Sequence, residues 1–152
     1  GYANVPKMLE SGINVALGTD GAASNNNLNI MQDMYLFGVV YKGYFRDPTI
    51  ITPAEVLHAA TWAGALSQGR DDSGLLAVGM RADLCVLNTD TPQFTPMTSA
   101  ACNVVYAAQG ADIRMTMVDG EVLYRDGEFK TIDIEKVKAE VQRRTDSILS
   151  RL

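Results

Sequence analysis

Val15-Ala-Leu-Gly-Thr-Asp20-Gly-Ala-Ala-Ser24-Asn-Asn-Asn-Leu28 is a short apolar run that stops at a carboxylate and passes into small and polar residues. Ile13 to Leu17 is too short for a helix and reads as a buried strand. Gly18 and Gly21 bracket Asp20, so the backbone can turn sharply there and leave the carboxylate at the strand's C-terminal end. In a (β/α)8 barrel that end carries the chemistry, whereas the opposite face serves stability. A second reading of the same residues is purely local: Asp20 caps a helix or closes an Asx turn. Spacing alone leaves both open.

The residues around this stretch fall into recognisable units. Val5 to Glu10 predicts a short helix with Pro6 in its first turn and Ser11-Gly12 at its end. Asn25 to Asn27 suit the start of a helix, and Asn29 is placed to cap one running to about Lys42. Ile30, Met31, Met34, Tyr35, Phe37, Gly38 and Tyr41 surround most of that helix, which predicts packing on several sides. Thr52-Pro53-Ala54-Glu55 forms a capping box for the next helix, which Gly69 ends. From Gly74 the pattern turns to strands, with candidates at Ala82 to Leu87, Asn103 to Tyr106, Ile113 to Val118 and Glu121 to Tyr124. Asp119-Gly120 predicts a two-residue hairpin turn, and Arg125-Asp126-Gly127-Glu128 another. Pro92 and Pro96 mark a loop, and Arg81 and Asp83 suggest turn chemistry and a structural ion pair. Asp133 can cap a final helix with Ile134, Val137, Val141, Ile148 and Leu152 along one stripe and Lys136, Lys138, Arg143 and Arg144 on its solvated side.

The run from Asn4 to Leu28, including Gly18-Thr-Asp-Gly21 and its Ala-Ala-Ser-Asn-Asn-Asn extension, resembles the last strand region of the amidohydrolase superfamily. The nearest branch holds S-adenosylhomocysteine and methylthioadenosine deaminases, triazine chlorohydrolases and guanine deaminase. The resemblance continues through Thr52-Pro-Ala-Glu-Val-Leu-His58-Ala-Ala-Thr-Trp-Ala-Gly-Ala65, Gly74-Leu-Leu-Ala-Val-Gly-Met-Arg-Ala-Asp-Leu-Cys-Val-Leu87 and Val118-Asp-Gly-Glu-Val-Leu-Tyr-Arg-Asp-Gly127. It implies an α/β fold with added β: the last strand–helix unit of a metal-dependent (β/α)8 barrel, part of a small composite β-sandwich domain, and a C-terminal helix. Residues 1–70 would be the end of the barrel, 71–130 the sandwich portion and 131–152 the helix. Gly1 falls within what looks like a loop of the family, so further sequence is expected before it.

The resemblance also implies a site. Family members hold a divalent metal, Zn²⁺ or another such as Fe²⁺, with a His-x-His pair, a mid-barrel histidine and the aspartate that Asp20 matches. Asp20 is therefore the expected catalytic residue and metal ligand, and Ser24 the expected substrate-binding residue, its hydroxyl reaching a ring nitrogen. Capping remains the alternative role for Ser24. The chain has one histidine, His58, and no His-x-His. A single carboxylate cannot build the three- or four-ligand site of a catalytic zinc. The expectation is thus the C-terminal portion of a hydrolase acting on non-peptide carbon–nitrogen bonds, deaminating a purine-nucleoside-like or related small heterocyclic substrate, with the segment alone inactive and binding no catalytic metal. A dechlorinating triazine-type hydrolase and a non-catalytic scaffolding module of the same fold stay open. The missing segment, or a second chain, would complete the site; an exposed strand edge would favour homo-oligomers.

Composition is consistent with this. The chain has 152 residues, 47% of them hydrophobic and 20% charged, enough to bury roughly two thirds of its unfolded surface but short of the about 250 residues of an intact barrel. A net charge of -5 gives no footprint for nucleic acid. No signal-peptide pattern or long apolar span is visible, so no membrane contact and a cytoplasmic location are expected. Cys85 and Cys102 lie on strand-like runs without metal spacing and are expected as buried free thiols. His58, mid-helix without ligand neighbours, is expected as a surface or packing residue.

Overall fold

The computed structural model describes residues 2–152; Gly1, and the expectation attached to it, lies outside them. Four helix starts form as their capping residues dictate. Helix α1 (Val5–Glu10) begins at Asn4, whose side chain accepts the Lys7 N–H, and places Pro6 in the first turn, where its missing N–H costs nothing. The longer α3 (Ile30–Phe45) starts at Asn29, which accepts the Met31 N–H. Thr52 and Glu55 close the full capping box of α4 (Pro53–Ala60). Asp133 accepts the Lys136 N–H at the start of the last helix, α7 (Ile134–Leu149). A four-residue helix, α2 (Ala22–Asn25), lies between Asp20 and α3.

The helix opened by Thr52 does not run unbroken to Gly69. It stops at Ala60, and α5 (Trp62–Ser67) starts after Thr61, which is the C-cap of one and the N-cap of the other. Thr61 turns its hydroxyl back onto Leu57 O at 2.7 Å and its N–H onto His58 O at 3.3 Å. Two of the carbonyls orphaned at the end of α4 are satisfied in this way. Gly74 packs on the break at φ +87°; a Cβ there would meet Trp62 Cα at 2.8 Å, so only glycine fits.

The core is formed by helices and loops. Val5, Met31, Met34, Ile51, Val56, Phe94, Val105 and Ala108 make one buried cluster, each large side chain contributing about 1.5–3 kcal/mol by leaving water. Helix α3 packs on α4 and on α6 (Ala100–Tyr106). At Gly38 the α3 backbone approaches α6 so closely that a Cβ would lie 3.0 Å from Tyr106 Cε1. The expectation that α3 is packed on several sides holds in part: Met31, Met34 and Gly38 are buried between α4 and α6, whereas Tyr35, Leu36, Tyr44 and Phe45 are exposed.

The strands form one antiparallel sheet in the order β1 (Leu84–Leu87), β2 (Ile113–Val118), β3 (Glu121–Arg125) and β4 (Glu128–Phe129). Leu84 faces Met117 across β1–β2, and Val118 faces Glu121 across β2–β3. Both expected hairpin turns form, with φ of 51° and 81° at Asp119 and Gly120, and 48° and 93° at Asp126 and Gly127. Successive positive φ values match the twist of paired strands. Arg81 and Asp83 do not pair with each other. Arg81 bonds Asp72 at 2.8 Å, and Asp83 bonds Arg70 at 3.2 Å and accepts the Asp119 N–H at 2.7 Å.

Three further expectations are corrected. Asn103 to Tyr106 is helical, within α6; Ser99 accepts the Cys102 N–H and starts a helix through residues whose β-branched Val104 and Val105 suggest a strand. Cys102 therefore lies on a helix and is half-buried, while Cys85 lies on β1 and is exposed; both are free thiols. Ile13 to Leu17 carries no strand pairing. A strand is stabilised by its ladder, and this segment instead rests on helices, with Leu17 N–H donating to Ala59 O at 2.9 Å and Asn14 Nδ2 to Ala63 O at 3.0 Å. No helix among the described residues is long and apolar enough to cross a membrane.

Candidate functional site

The segment that delivers Asp20 is therefore anchored at the α4–α5 break: the Ala59 carbonyl, at the end of α4, takes the Leu17 N–H. Three residues later the chain turns at Asp20 itself, at φ 57°. Gly21 has an ordinary φ of −88°, and Gly18 is not left-handed either. The expectation that the glycines supply the unusual backbone is thus corrected; the carboxylate-bearing residue adopts it. Asp is among the few non-glycine residues that do so readily, and such residues concentrate where the surroundings over-determine them.

Asp20 is exposed. Its Oδ1 accepts the Gly21 N–H at 2.7 Å. This is not a helix cap, because Gly21 is the N-cap of α2 and no side chain caps it. An Asx turn would take the N–H two residues on, whereas this bond goes to the next residue. The Ser24 hydroxyl, then the Gly21 N–H, hold the Asp20 carboxyl below the ordinary carboxylate range, so it is an acceptor at neutral pH. Ser24 Oγ also lies 3.0 Å from Gly21 O, to which it donates. The Ser24 hydroxyl proton is directed at Gly21 O, and the Gly21 N–H is the fixed donor to the carboxylate. The structure brings Asp20 and Ser24 together at one turn; Ser24 is not the cap of α2, and its hydroxyl donates back to Gly21 O.

Around this pair the backbone is clamped by side chains. Thr19 Oγ1 donates to Asp20 O at 3.2 Å. Asn25 Nδ2 donates to Thr19 O at 2.7 Å and to Asn27 O at 2.9 Å. Asn27 Oδ1 accepts the Asn29 N–H at 2.9 Å, and the Asn27 amide bonds Gln32. From the sequence the asparagines read as helix-entry residues and as part of the family-like extension, with no clamping role; the signal for one was three consecutive amides directly after Ser24. His58 is exposed on α4, as expected.

Two wide concavities lie elsewhere. One, of about 530 Å³, is lined by Ile113, Leu123, Tyr124, Phe129 and Ile132, among others. The other, of about 450 Å³, lies over Leu75, Leu76, Cys85 and Met117. Both are open apolar surfaces of the sheet, and neither includes Asp20 or Ser24.

With this geometry in view, the comparisons with known proteins are decisive on family. The amidohydrolase family profile matches residues 1–123, and the chain belongs to the amidohydrolase family. It is 43% identical, over 98% of its length, to a 5-methylthioadenosine/S-adenosylhomocysteine deaminase of Acetivibrio thermocellus, of which it covers 35%. Among solved structures it superposes on a zinc-bound adenosine deaminase from Xanthomonas campestris with a TM-score of 0.95, at 26% identity, covering 99% of this chain and 34% of that one. A zinc-complexed atrazine chlorohydrolase from Arthrobacter aurescens gives a TM-score of 0.85 at 26% identity, over 94% of this chain and 32% of that one. The chain spans about a third of the length of these relatives.

Zinc in these two structures raises the question of whether the present residues fit one. A catalytic zinc takes three protein ligands and leaves one position open. Among the described residues no three His, Cys, Asp or Glu side chains converge. Asp20 offers one carboxylate, which retains acceptor capacity beyond the Gly21 bond. The residues of this chain do not make up a zinc site by themselves.

Proposed function

We propose that this chain is the C-terminal third of a deaminase that hydrolyses a carbon–nitrogen bond on a purine-nucleoside-like heterocycle. In this reading residues 1–70 close a (β/α)8 barrel, residues 71–130 are part of a composite β-sandwich, and residues 131–152 are an outer helix. The observation that carries the reading is Asp20: an exposed, ionised carboxylate on a left-handed backbone, fixed by hydrogen bonds at the end of an anchored segment. The 43% identity to a deaminase across nearly the whole chain supports the substrate class.

Asp20 acts as the proton carrier. As water adds to the ring carbon bearing the amino group, Asp20 accepts a water proton; as the carbon–nitrogen bond breaks, the proton goes to the departing nitrogen, which leaves as ammonia. A carboxylate held below its ordinary pKa starts in the form that can accept. Asp20 would also supply one ligand to a divalent cation, Zn²⁺ or Fe²⁺, which would make a water easier to deprotonate and whose other ligands would lie outside this chain. The Ser24 hydroxyl, one helical turn on, binds a ring nitrogen of the substrate.

A second reading is supported by the likeness to the atrazine chlorohydrolase: the same carboxylate would serve attack on a carbon bearing chloride. The full-length protein carrying this segment decides between them. Ammonia release from 5′-methylthioadenosine or S-adenosylhomocysteine is expected, and chloride release from a chlorotriazine without ammonia from either nucleoside would overturn the deaminase reading.

A further inference from the structure

We propose that Asn25 is a positioning residue for Asp20, setting the peptide that aims the carboxylate; this rests on the reading of Asp20 given above. The φ of Asp20 is the torsion between the Thr19–Asp20 peptide and the Asp20 Cα. Its value, 57°, is one that side chains with a Cβ adopt at a cost of about 1–2 kcal/mol, less for Asp. Something must hold the peptide there. Asn25 Nδ2 binds the carbonyl of that peptide, Thr19 O, at 2.7 Å. The same amino group binds Asn27 O at 2.9 Å, on the far side of Asn26, which is itself left-handed at φ 60°. Both partners are carbonyl oxygens, so only the amino group of the amide can face them.

One side chain thus ties the approach to Asp20 to the approach to α3, and opening the turn between them breaks at least one of these bonds. The peptide after Asp20 is fixed separately, by the Asp20 carboxylate on Gly21 N–H and by the Thr19 hydroxyl on Asp20 O. Asn25 is the side chain restraining the peptide before it. Its side chain has no part in the hydrophobic core, which separates aiming from folding.

The test uses the full-length protein with 5′-methylthioadenosine as the probe and compares Asn25→Asp, which keeps the shape and removes both donors, with Asn25→Ala. Misaiming a reacting group by about 1 Å lowers turnover up to about 100-fold, so kcat is expected to fall about 10- to 100-fold in both variants. KM is expected to stay within about twofold, the pattern of a lost transition-state interaction. Hydrogen exchange across residues 19–27 is expected to accelerate, while exchange in α3 and α4 stays as in the parent protein. Unchanged kcat, or a rise in KM matching the loss in kcat/KM, would overturn the proposal; so would a loss of kcat that only tracks the fraction unfolded. Asp20→Asn measured alongside separates the two levels. If it retains turnover, the reading of Asp20 fails and this inference with it. If it is inactive while the Asn25 variants are not, only the inference fails.

Discussion

Around Val56 and Phe94 the chain is held by packing; around Asp20 it is held by hydrogen bonds among exposed polar groups. In the first region Val56 is 0% and Phe94 1% exposed, and helix α3 packs on α4 and α6 around that apolar cluster, with one polar contact, Lys42 Nζ to Tyr106 OH at 2.6 Å, at its margin. In the second, residues 20 to 26 are all exposed, and order comes from Asn25, Thr19, Ser24 and the Gly21 N–H. Packing is cooperative and tolerates little change in volume. A hydrogen-bonded turn contributes little to stability but fixes direction. Changes in the first region should therefore be read in stability, and changes in the second in chemistry.

Phe94→Ala should show the contrast most strongly. It removes a fully buried ring and is expected to cost about 3–5 kcal/mol, seen as a lower denaturant midpoint, with kcat of the remaining folded protein unchanged. Gly74→Ala is expected to cost about 2–4 kcal/mol, from a left-handed φ and a clash with the Trp62 backbone. A neutral result in thermal melts would mean that the α4–α5 break, and the anchoring of Leu17 on it, is more yielding than described. Ser24→Ala lies on the other side of the comparison. It should raise KM about three- to tenfold, the equivalent of one neutral hydrogen bond, and leave the melting midpoint in place.

The smallest effect belongs to α7, which is neither packed nor part of the turn. None of its residues is buried. Arg143 first, then Arg144, hold the Glu140 carboxyl down at about 2 from an ordinary 4.5. A depressed carboxylate contributes stability above its unfolded pKa and loses it as pH falls through the folded one. Protection of α7 should thus be full above about pH 4.5 and fade toward pH 2. Glu140→Gln should remove that dependence, as read by hydrogen exchange across 134–149. Because the pair is exposed and salt-screened, the change should be small.

The same contrast explains what the sequence made legible. Asn29, Thr52 with Glu55, and Asp133 each cap the helix expected of them, and Asp119-Gly120 makes its hairpin, because these signals act over three or four residues. The position of Asp20 beside Ser24 was legible for the same reason. Ile13 to Leu17 was not, since pairing depends on partners elsewhere. Nor was α6, where Ser99 outweighs the β-branched Val104 and Val105. The break at Thr61 depends on contacts with Gly74, thirteen residues on, and the left-handed backbone of Asp20 depends on Asn25 reaching back to Thr19.

The account turns on the Asp20 carboxylate. Asp20→Asn in the full-length protein keeps the side-chain oxygen that accepts Gly21 N–H and removes the basicity. It is expected to lower kcat for deamination of 5′-methylthioadenosine by about 10²–10⁴-fold, with the melting midpoint unchanged. Turnover near that of the parent protein would contradict the account.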